Sequence, residues 1–250
     1  MLSLFTEHLV MLDDNKVTWA CGKYLQDADC AWHEHEVDEP LAACAALMDR
    51  VPRAVVRYLD RITLVLGFPH VQYLMLPWQE NLYSRADWHG FAEAIFNQQS
   101  GLDPDQWQIE IDHAPFGAVR LAAAISKSLL EELRALFKAR QFIVHSCHPL
   151  LTFALQRYWQ ELSEDCLFAV PQVNALNCLY VHQAMPAQVC ALHVQPEALL
   201  RDSLITTDIL SADQGQETLV VAPDDSFLQQ ATTRTLRWLG PVHPWLGARA

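Results

Sequence analysis

Three groups of residues in this chain have types and spacings suited to chemistry. His33 and His35 flank Glu34 on a stretch that reads as a strand, so both imidazoles point to one face. Two imidazoles on one face can bind a metal ion. No cysteine or carboxylate partner stands at a fixed offset, and Glu36 and Asp38 continue the polar run, so the stretch reads as a solvated strand edge. His145-Ser146-Cys147-His148 sets a thiol beside imidazoles, the pairing of a cysteine nucleophile with its base. Catalytic pairs are brought together by the fold, however, and Pro149 makes this segment a strand end running into a helix start. His182, Cys190 and His193 lie on neighbouring predicted strands, and nothing in the sequence fixes their register.

The carboxylate pairs Asp13-Asp14, Glu131-Glu132 and Asp224-Asp225 stand at predicted element starts or on exposed helix faces, where acids complement helix N-termini. None lies in an apolar run that would raise a pKa for acid catalysis. The motifs G-x-S-x-G, H-E-x-x-H and C-x-x-C are absent. Phosphate binding needs backbone N–H groups that approach an anion closely, which glycine permits. The chain has eight glycines, no two adjacent and none in G-x-G, so the P-loop and dinucleotide fingerprints are missing. The residues alone thus assign no catalytic, cofactor-binding or metal-binding position.

The bulk composition narrows the classes further. Of 250 residues, 51% are hydrophobic and 19% charged, which excludes general disorder. The formal net charge of −13 and the lack of any basic run oppose binding to nucleic acid or anionic lipid. The start, MLSLFTEHLVMLDDNK, lacks an early basic residue and carries Glu7 and His8 in its middle, which makes a poor signal peptide. No uncharged apolar run reaches the roughly 18 residues of a membrane span. The expectation is a cytoplasmic protein without direct membrane insertion. Seven scattered cysteines fit reduced thiols, and Cys44, Cys166, Cys178 and Cys190 sit in apolar surroundings as buried small side chains.

The elements that must position these groups read as a mixed α/β chain. Val17–Cys21 and Cys30–Val37 are two strands, and 41–58 is a helix that Pro52 kinks or divides. Ile62–Leu66 and Val71–Leu76, separated by Gly67-Phe68-Pro69-His70, read as a hairpin closing on Pro77-Trp78. A helix over 86–99 carries Trp88, Phe91, Ala92, Ile95 and Phe96 on one stripe. A second hairpin pairs Trp107–Asp112 with Ala118–Ile125. The next helix has Ser128 and Glu131 spaced as a capping box, with Leu129, Leu130, Leu133, Leu136 and Phe137 on one face. A strand, Phe142–His145, leads to a helix burying Leu150, Leu151, Ala154, Leu155 and Tyr158. From Cys166 the pattern restarts. Leu167–Pro171, Ala175–His182 and Val189–Val194 form a meander, followed by a short helix over 196–201. Ile205–Leu210 and Leu219–Ala222 read as strands, and Asp224 or Asp225 caps a last helix reaching Trp238. The division falls near Ser163–Asp165.

The segment LVLGFPHVQYLMLPW (Leu64–Trp78), the aromatic helix, the Trp107 strand and LAAAISKSLLEELRAL together resemble actin-like proteins of bacterial secretion and pilus machines. The cytoplasmic domain of the type II secretion L protein and the type IV pilus M protein are similar in pattern over roughly residues 16–162. The resemblance implies two ribonuclease-H-like halves, here 1–162 with an inserted hairpin subdomain and 163–250, each a mixed sheet flanked by helices. A purely parallel, doubly wound sheet would exclude it. It also implies an assembly platform that docks protein partners of a pilus or secretion complex at the cytoplasmic face of the inner membrane. The chain end at Ala250 omits the span and periplasmic part of a full L protein.

Pilus members of that family bind ATP on Gly-rich turns of both halves, with an Asp-x-Gly turn in the first hairpin organising Mg²⁺. In this sequence the corresponding stretch is placed at Thr18-Trp19-Ala20-Cys21-Gly22-Lys23, which lacks the carboxylate. The expectation is a non-enzymatic, degenerate member without a cofactor, binding a partner's extended or helical segment in a groove between sheet and helices. Phe68, Tyr73 and Trp78 are its candidate partner-binding residues. The alternative is a divergent nucleotide-binding or metal-dependent enzyme of the same fold, whose strand carboxylates would be Glu110, Asp112 and Asp208.

Overall fold

The computed structural model describes residues 6–14, 16–22, 31–36, 39–54, 60–195, 200–211, 217–229 and 235–247. Its strands form three sheets. The first joins β1 (Thr6–Leu12), β2 (Lys16–Gly22), β3 (Ala31–Glu36), β4 (Asp60–Leu66) and β8 (Ile143–Pro149) in the order β3-β2-β1-β4-β8. The β1–β2 and β2–β3 pairs are antiparallel, and the β1–β4 and β4–β8 pairs are parallel. The second sheet repeats this plan with β9 (Cys166–Pro171), β10 (Ala175–His182), β11 (Met185–His193), β12 (Glu217–Val221) and β13 (Thr235–Gly240), ordered β11-β10-β9-β12-β13. It shows the same alternation of antiparallel and parallel pairs. Both sheets are mixed, as the two-half reading requires. The third, antiparallel sheet is inserted between β4 and β8 and orders β5 (Val71–Leu76), β6 (Trp107–Ile111) and β7 (Arg120–Ser126) as β5-β7-β6.

The expected hairpin between Ile62–Leu66 and Val71–Leu76 does not form. β4 already has a parallel neighbour on each side, so it has no free edge to offer β5. Leu64, Val65 and Leu66 are consecutive and all fully buried, which means both faces of β4 are covered. The Gly67–His70 segment is instead a corner between sheets, closed by the His70 N–H donating to the Gly67 carbonyl at 2.9 Å. β1 was not read as a strand from the sequence, yet it is the central strand of the first sheet.

The helices are α1 (Pro40–Met48), α2 (Arg85–Ser100), α3 (Lys127–Ala139), α4 (Leu150–Tyr158) and α5 (Leu200–Ser211). α1 ends ten residues before the expected limit at 58, in a turn where the Arg50 and Val51 N–H groups both donate to the Leu47 carbonyl; residues 55–59 lie outside the described chain. The reciprocal capping box belongs to α2, where Ser84 and Asp87 each accept from the other's backbone N–H. Gly101 closes that helix in the left-handed region (φ 65°) that glycine favours. On α3 the cap is Ser126, not Ser128. All five side chains expected inside α4 are buried.

Two assignments in the second half are overturned. Ile205–Leu210 belongs to helix α5, although Ile and Thr favour strands. The Thr206 and Thr207 hydroxyls bond to carbonyls one turn back, at Asp202 and Leu204, while Ser203, Leu204 and Thr207 form a buried stripe at helical spacing. The last helix to Trp238 is replaced by a 3-10 turn at Ser226–Gln229 and the edge strand β13. The expected short helix over 196–201 falls largely outside the described residues, and α5 begins at Leu200.

The largest apolar cluster draws on both halves, with Val10, Leu64 and Leu66 from the first sheet and Phe168, Val170, Leu179 and Leu219 from the second. Inside the first half, a polar chain buried at Trp19, His8 and Asp60 crosses this core. The Trp19 indole N–H donates to His8 Nδ1 at 3.1 Å, so the ring proton sits on Nε2, facing Asp60 Oδ1 at 3.4 Å. Arg53 and the Ala54 N–H complete the carboxylate's partners, and the Arg53 guanidinium lies 3.8 Å over the Phe142 ring. Burial pushes the Asp60 carboxyl up, but the bonds from His8, Arg53 and Ala54 outweigh it and hold the group below its ordinary value. Burial also lowers the His8 pKa, against the opposing pull of Asp60, so the ring is held neutral.

Removing one member of such a buried pair strands the other. Asp60→Ala should lose about 2–3 kcal/mol in denaturant unfolding, because the buried His8 ring N–H and the Ala54 N–H lose their charged acceptor, while Arg53 keeps the Arg140 and Gln141 carbonyls. A loss near zero would mean that this chain does not hold β1 to β4. His8 predicts the acid limb. Its folded pKa lies below the ordinary 6.5, so the unfolded chain takes up a proton first and stability falls as pH drops below about 6.5. Asp13, whose buried carboxyl is pushed up, titrates the other way in this window, so a variant isolates the His8 share: on going from pH 7 to pH 5, His8→Gln should lose less unfolding free energy than the wild type.

Candidate functional site

Two places bring polar chemistry and shape together. The first is the seam where the halves meet. The β1–β2 turn carries Asp13 and Asp14, the β4–β5 corner carries Gly67, Phe68 and His70, and the β9–β10 turn carries Gln172 and Asn174. These three turns are tied directly. The Asn174 side-chain amide donates to Asp14 Oδ2 at 2.7 Å, and the Phe68 N–H donates to Gln172 Oε1 at 2.9 Å. The Gly67 N–H donates to the Leu12 carbonyl at 2.7 Å. Phe68 also stacks on the His193 ring of β11, with centroids 5.5 Å apart.

Gly67 is where these turns approach most closely. A Cβ there would stand 2.3 Å from Asp13 Oδ1 and 2.4 Å from Gln172 Nε2, so a side chain fits only if the ends of Asp13 and Gln172 give way. Asp13 is 6% exposed, and burial pushes its carboxyl up to about 7, against the pull of Lys16. Burial lowers the His70 pKa, although a hydrogen bond to the Asp13 backbone and the Asp14 charge act the other way.

The seam corrects the sequence placement of the first hairpin turn. That turn follows Leu12 and carries Asp13 and Asp14, whereas Thr18–Gly22 lies within β2, so the turn does hold carboxylates. The signal was present: the turn-forming run Asp13-Asp14-Asn15 stands between the apolar runs HLVML and VTWAC, which is itself a hairpin pattern. The donor set nonetheless does not suit a Mg²⁺-triphosphate. Neither the β1–β2 turn nor the β9–β10 turn contains a glycine, and the space beside Gly67 is filled by Asp13 and Gln172. Among the described residues, no group of three or more His, Cys, Asp or Glu side chains could hold a metal ion.

The second place is a groove of about 780 Å³ between the inserted sheet and helices α3 and α4. Its floor is apolar, with Leu121, Ala123, Ile125, Leu130 and Leu155. Glu110 and Asp112 stand on one side and Arg134 and His148 also line it, while Met185 and Pro186 reach in from the β10–β11 turn of the second half. One wall carries β6, the edge strand of its sheet. Cys147 lines the groove too, but burial pushes its thiol up to about 11, so it is no thiolate nucleophile.

Of the candidate partner-binding residues, Phe68 lies in the seam, packed on His193. Tyr73 is corrected as a surface residue: it is buried, and its hydroxyl accepts from the Leu151 N–H at 3.0 Å, satisfying the first turn of α4. Trp78 is half-buried against Trp88, with the exposed ring of Phe116 at 4.5 Å. The three do not form one surface. Trp245 is buried in the shared core. His182, Cys190 and His193 do not converge, since the β10–β11 register puts His182 opposite Met185 at one end and His193 opposite Ala175 at the other. The side chains of His33, His35 and Asp208 lie outside the described residues; Glu110 and Asp112 stand together on the groove.

No family model matches this sequence, and no curated protein does. Solved structures do. The cytoplasmic domain of EpsL, an inner membrane component of the type II secretion system of Vibrio cholerae, is 12% identical, with 96% of this chain and 92% of that chain covered and a TM-score of 0.64. The PilM–PilN type IV pilus biogenesis complex is matched at 11% identity, over 96% of this chain and 89% of that one, with a TM-score of 0.63. A Bacteroides thetaiotaomicron protein of actin-like ATPase fold and unknown function is matched at 12% identity, over 94% and 91%, with a TM-score of 0.62. The chain therefore has the actin-like fold. Among the described residues, no helix is long and apolar enough to cross a membrane.

Filling the space at Gly67 tests the seam. Gly67→Ala should destabilise the protein by about 1–3 kcal/mol in chemical denaturation, since the new methyl group displaces Asp13 and Gln172. Unchanged stability would show that the three turns do not meet this closely.

Proposed function

We propose that this chain is a non-catalytic assembly protein of a bacterial type IV pilus or type II secretion apparatus, held at the cytoplasmic face of the inner membrane through its partners. It works by gripping an extended segment of a partner protein in the groove beneath the inserted sheet. The observation that carries this reading is the groove itself: an apolar floor beside an edge strand, with charged side chains at its sides. An extended segment can add backbone hydrogen bonds along such an edge while alternate side chains enter the floor. Glu110 and Asp112 suit a basic residue on that segment.

The likeness to EpsL and to PilM in its complex supports an assembly role. The crowded seam argues against nucleotide turnover, which would make this a pseudo-ATPase. Residues 1–162 and 163–250 serve as its two halves, and the strands of the two five-stranded sheets separate at that point. Of the aromatic candidates only Trp78, beside Phe116, remains available as an accessory contact at the tip of the inserted sheet.

Selection from a randomised peptide library displayed on phage would test the groove. Wild-type protein should enrich extended sequences with spaced apolar residues and a basic position. Thr152→Arg, which projects a long side chain from α4 into the groove, should weaken the selected peptides at least about tenfold, with stability within about 0.5 kcal/mol of wild type. Peptides that bind both proteins equally would sink the reading.

A further inference from the structure

Four buried side-chain atoms of the seam have no hydrogen-bond partner among the described residues: Asp13 Oδ1, His70 Nε2, Gln172 Nε2 and Asn174 Oδ1. They come from three separate turns and from both halves of the chain. Such orphans are uncommon in folded proteins, and a cluster of them marks a place held together by its surroundings. We propose that the three turns form a proton-controlled latch: with its carboxyl neutral, Asp13 lies buried against Gln172 and Gly67 and the halves stay closed, and its ionisation loosens them. The latch does not depend on any occupant of the groove.

The geometry states why the proton matters. Gln172 holds the corner through the Phe68 N–H, and its other side-chain atom, Nε2, stands with Asp13 Oδ1 about the same point beside Gly67. A neutral carboxyl can lie among amides at modest cost. An ionised one needs water or several donors, and among the described residues none donates to Asp13 Oδ1. Charged and titratable groups face Asp13 from several packed elements. Its own turn supplies Asp14, which opposes ionisation, and Lys16, which favours it. The β4–β5 corner supplies His70, whose pKa burial lowers. β5 supplies Tyr73, which stays protonated because burial pushes its hydroxyl up. The β9–β10 turn supplies only the amides of Gln172 and Asn174. Burial outweighs Lys16, so the closed seam binds the Asp13 proton more tightly than an open, hydrated one.

The sign follows from that difference. The closed seam keeps its proton up to about pH 7, whereas a solvated aspartate loses it near 3.8. Closure is therefore strongest below about pH 4, weakens as pH rises to about 7, and levels off above. Across that window the opening constant should rise by up to about tenfold per pH unit.

Hydrogen exchange of the Phe68 amide, divided by its intrinsic rate at each pH, reads the latch directly. In the wild-type chain this ratio should climb between about pH 4 and 7. Asp13→Asn mimics the neutral carboxyl and should remove the climb while keeping Phe68 protected. Asn174→Ala should raise the ratio at every pH and leave the slope in place. A wild-type ratio that is flat with pH, or a slope that survives in Asp13→Asn, overturns the proposal. Should Asp13→Asn not fold, carbon-detected titration of the wild-type Asp13 carboxyl decides: a midpoint near 7 supports the latch, and one near 4 overturns it.

Discussion

The missing side chain at Gly67 allows three turns from two halves of this protein to meet. The β4–β5 corner meets the ends of the Asp13 and Gln172 side chains where its first residue projects nothing, and a Cβ there would have to push both aside. From that approach follow the Phe68–Gln172 and Asp14–Asn174 bonds, and with them the closed seam. Each such bond adds only about 1 kcal/mol net. Their weight lies in geometry, since they join turns that the strands alone would leave as separate sheet ends. A second tie lies further along, where the Tyr158 hydroxyl of α4 donates to the Pro241 carbonyl at 2.7 Å. The shared apolar cluster fills the space between.

This arrangement bears on chemistry in two ways. At the seam, Asn174 donates to Asp14 and the ends of Asp13 and Gln172 fill the space beside Gly67. At the groove, the side chains are set for contact: apolar floor, mixed charges, an open strand edge. The two places are not independent. Met185 and Pro186 belong to the second half yet line a groove built mainly by the first, so the groove's width depends on how the halves are held. The turn that presents them is itself constrained, with Gln183 and Ala184 both at positive φ and Asp165 bonded to His182 and to the Gln183 N–H.

Much of the fold was legible in the sequence because local periodicity and burial agree there. The stripe of Trp88, Ala92 and Phe96 and the buried side of α4 were readable at helical spacing, and each packs as its spacing dictates. The β9–β10–β11 meander was likewise marked by apolar runs and prolines. Local signal failed where a partner in space overrode it. Ile205–Leu210 has strand composition, but the threonine hydroxyls fold back on carbonyls and a buried face turns the segment into helix. Ile62–Leu66 and Val71–Leu76 look like hairpin arms, but β4 is flanked on both edges by strands distant in sequence.

The candidate sites divide along the same line. By itself, the chain determined which residues turn, which faces are apolar and that glycine is too scarce for a phosphate loop, because those properties depend on side-chain type and near neighbours. The resemblance carried by Leu64–Trp78 and the helices extended this to an actin-like plan. Which turns face one another was decided only in three dimensions. Asp13 and Gln172 are far apart in sequence, and nothing in either local segment says that they flank one glycine. Tyr73 reads as an exposed aromatic until the inserted sheet folds over α4 and its hydroxyl becomes the acceptor for a helix N–H. Contacts of this kind are set by sheet order and packing, which no local pattern encodes.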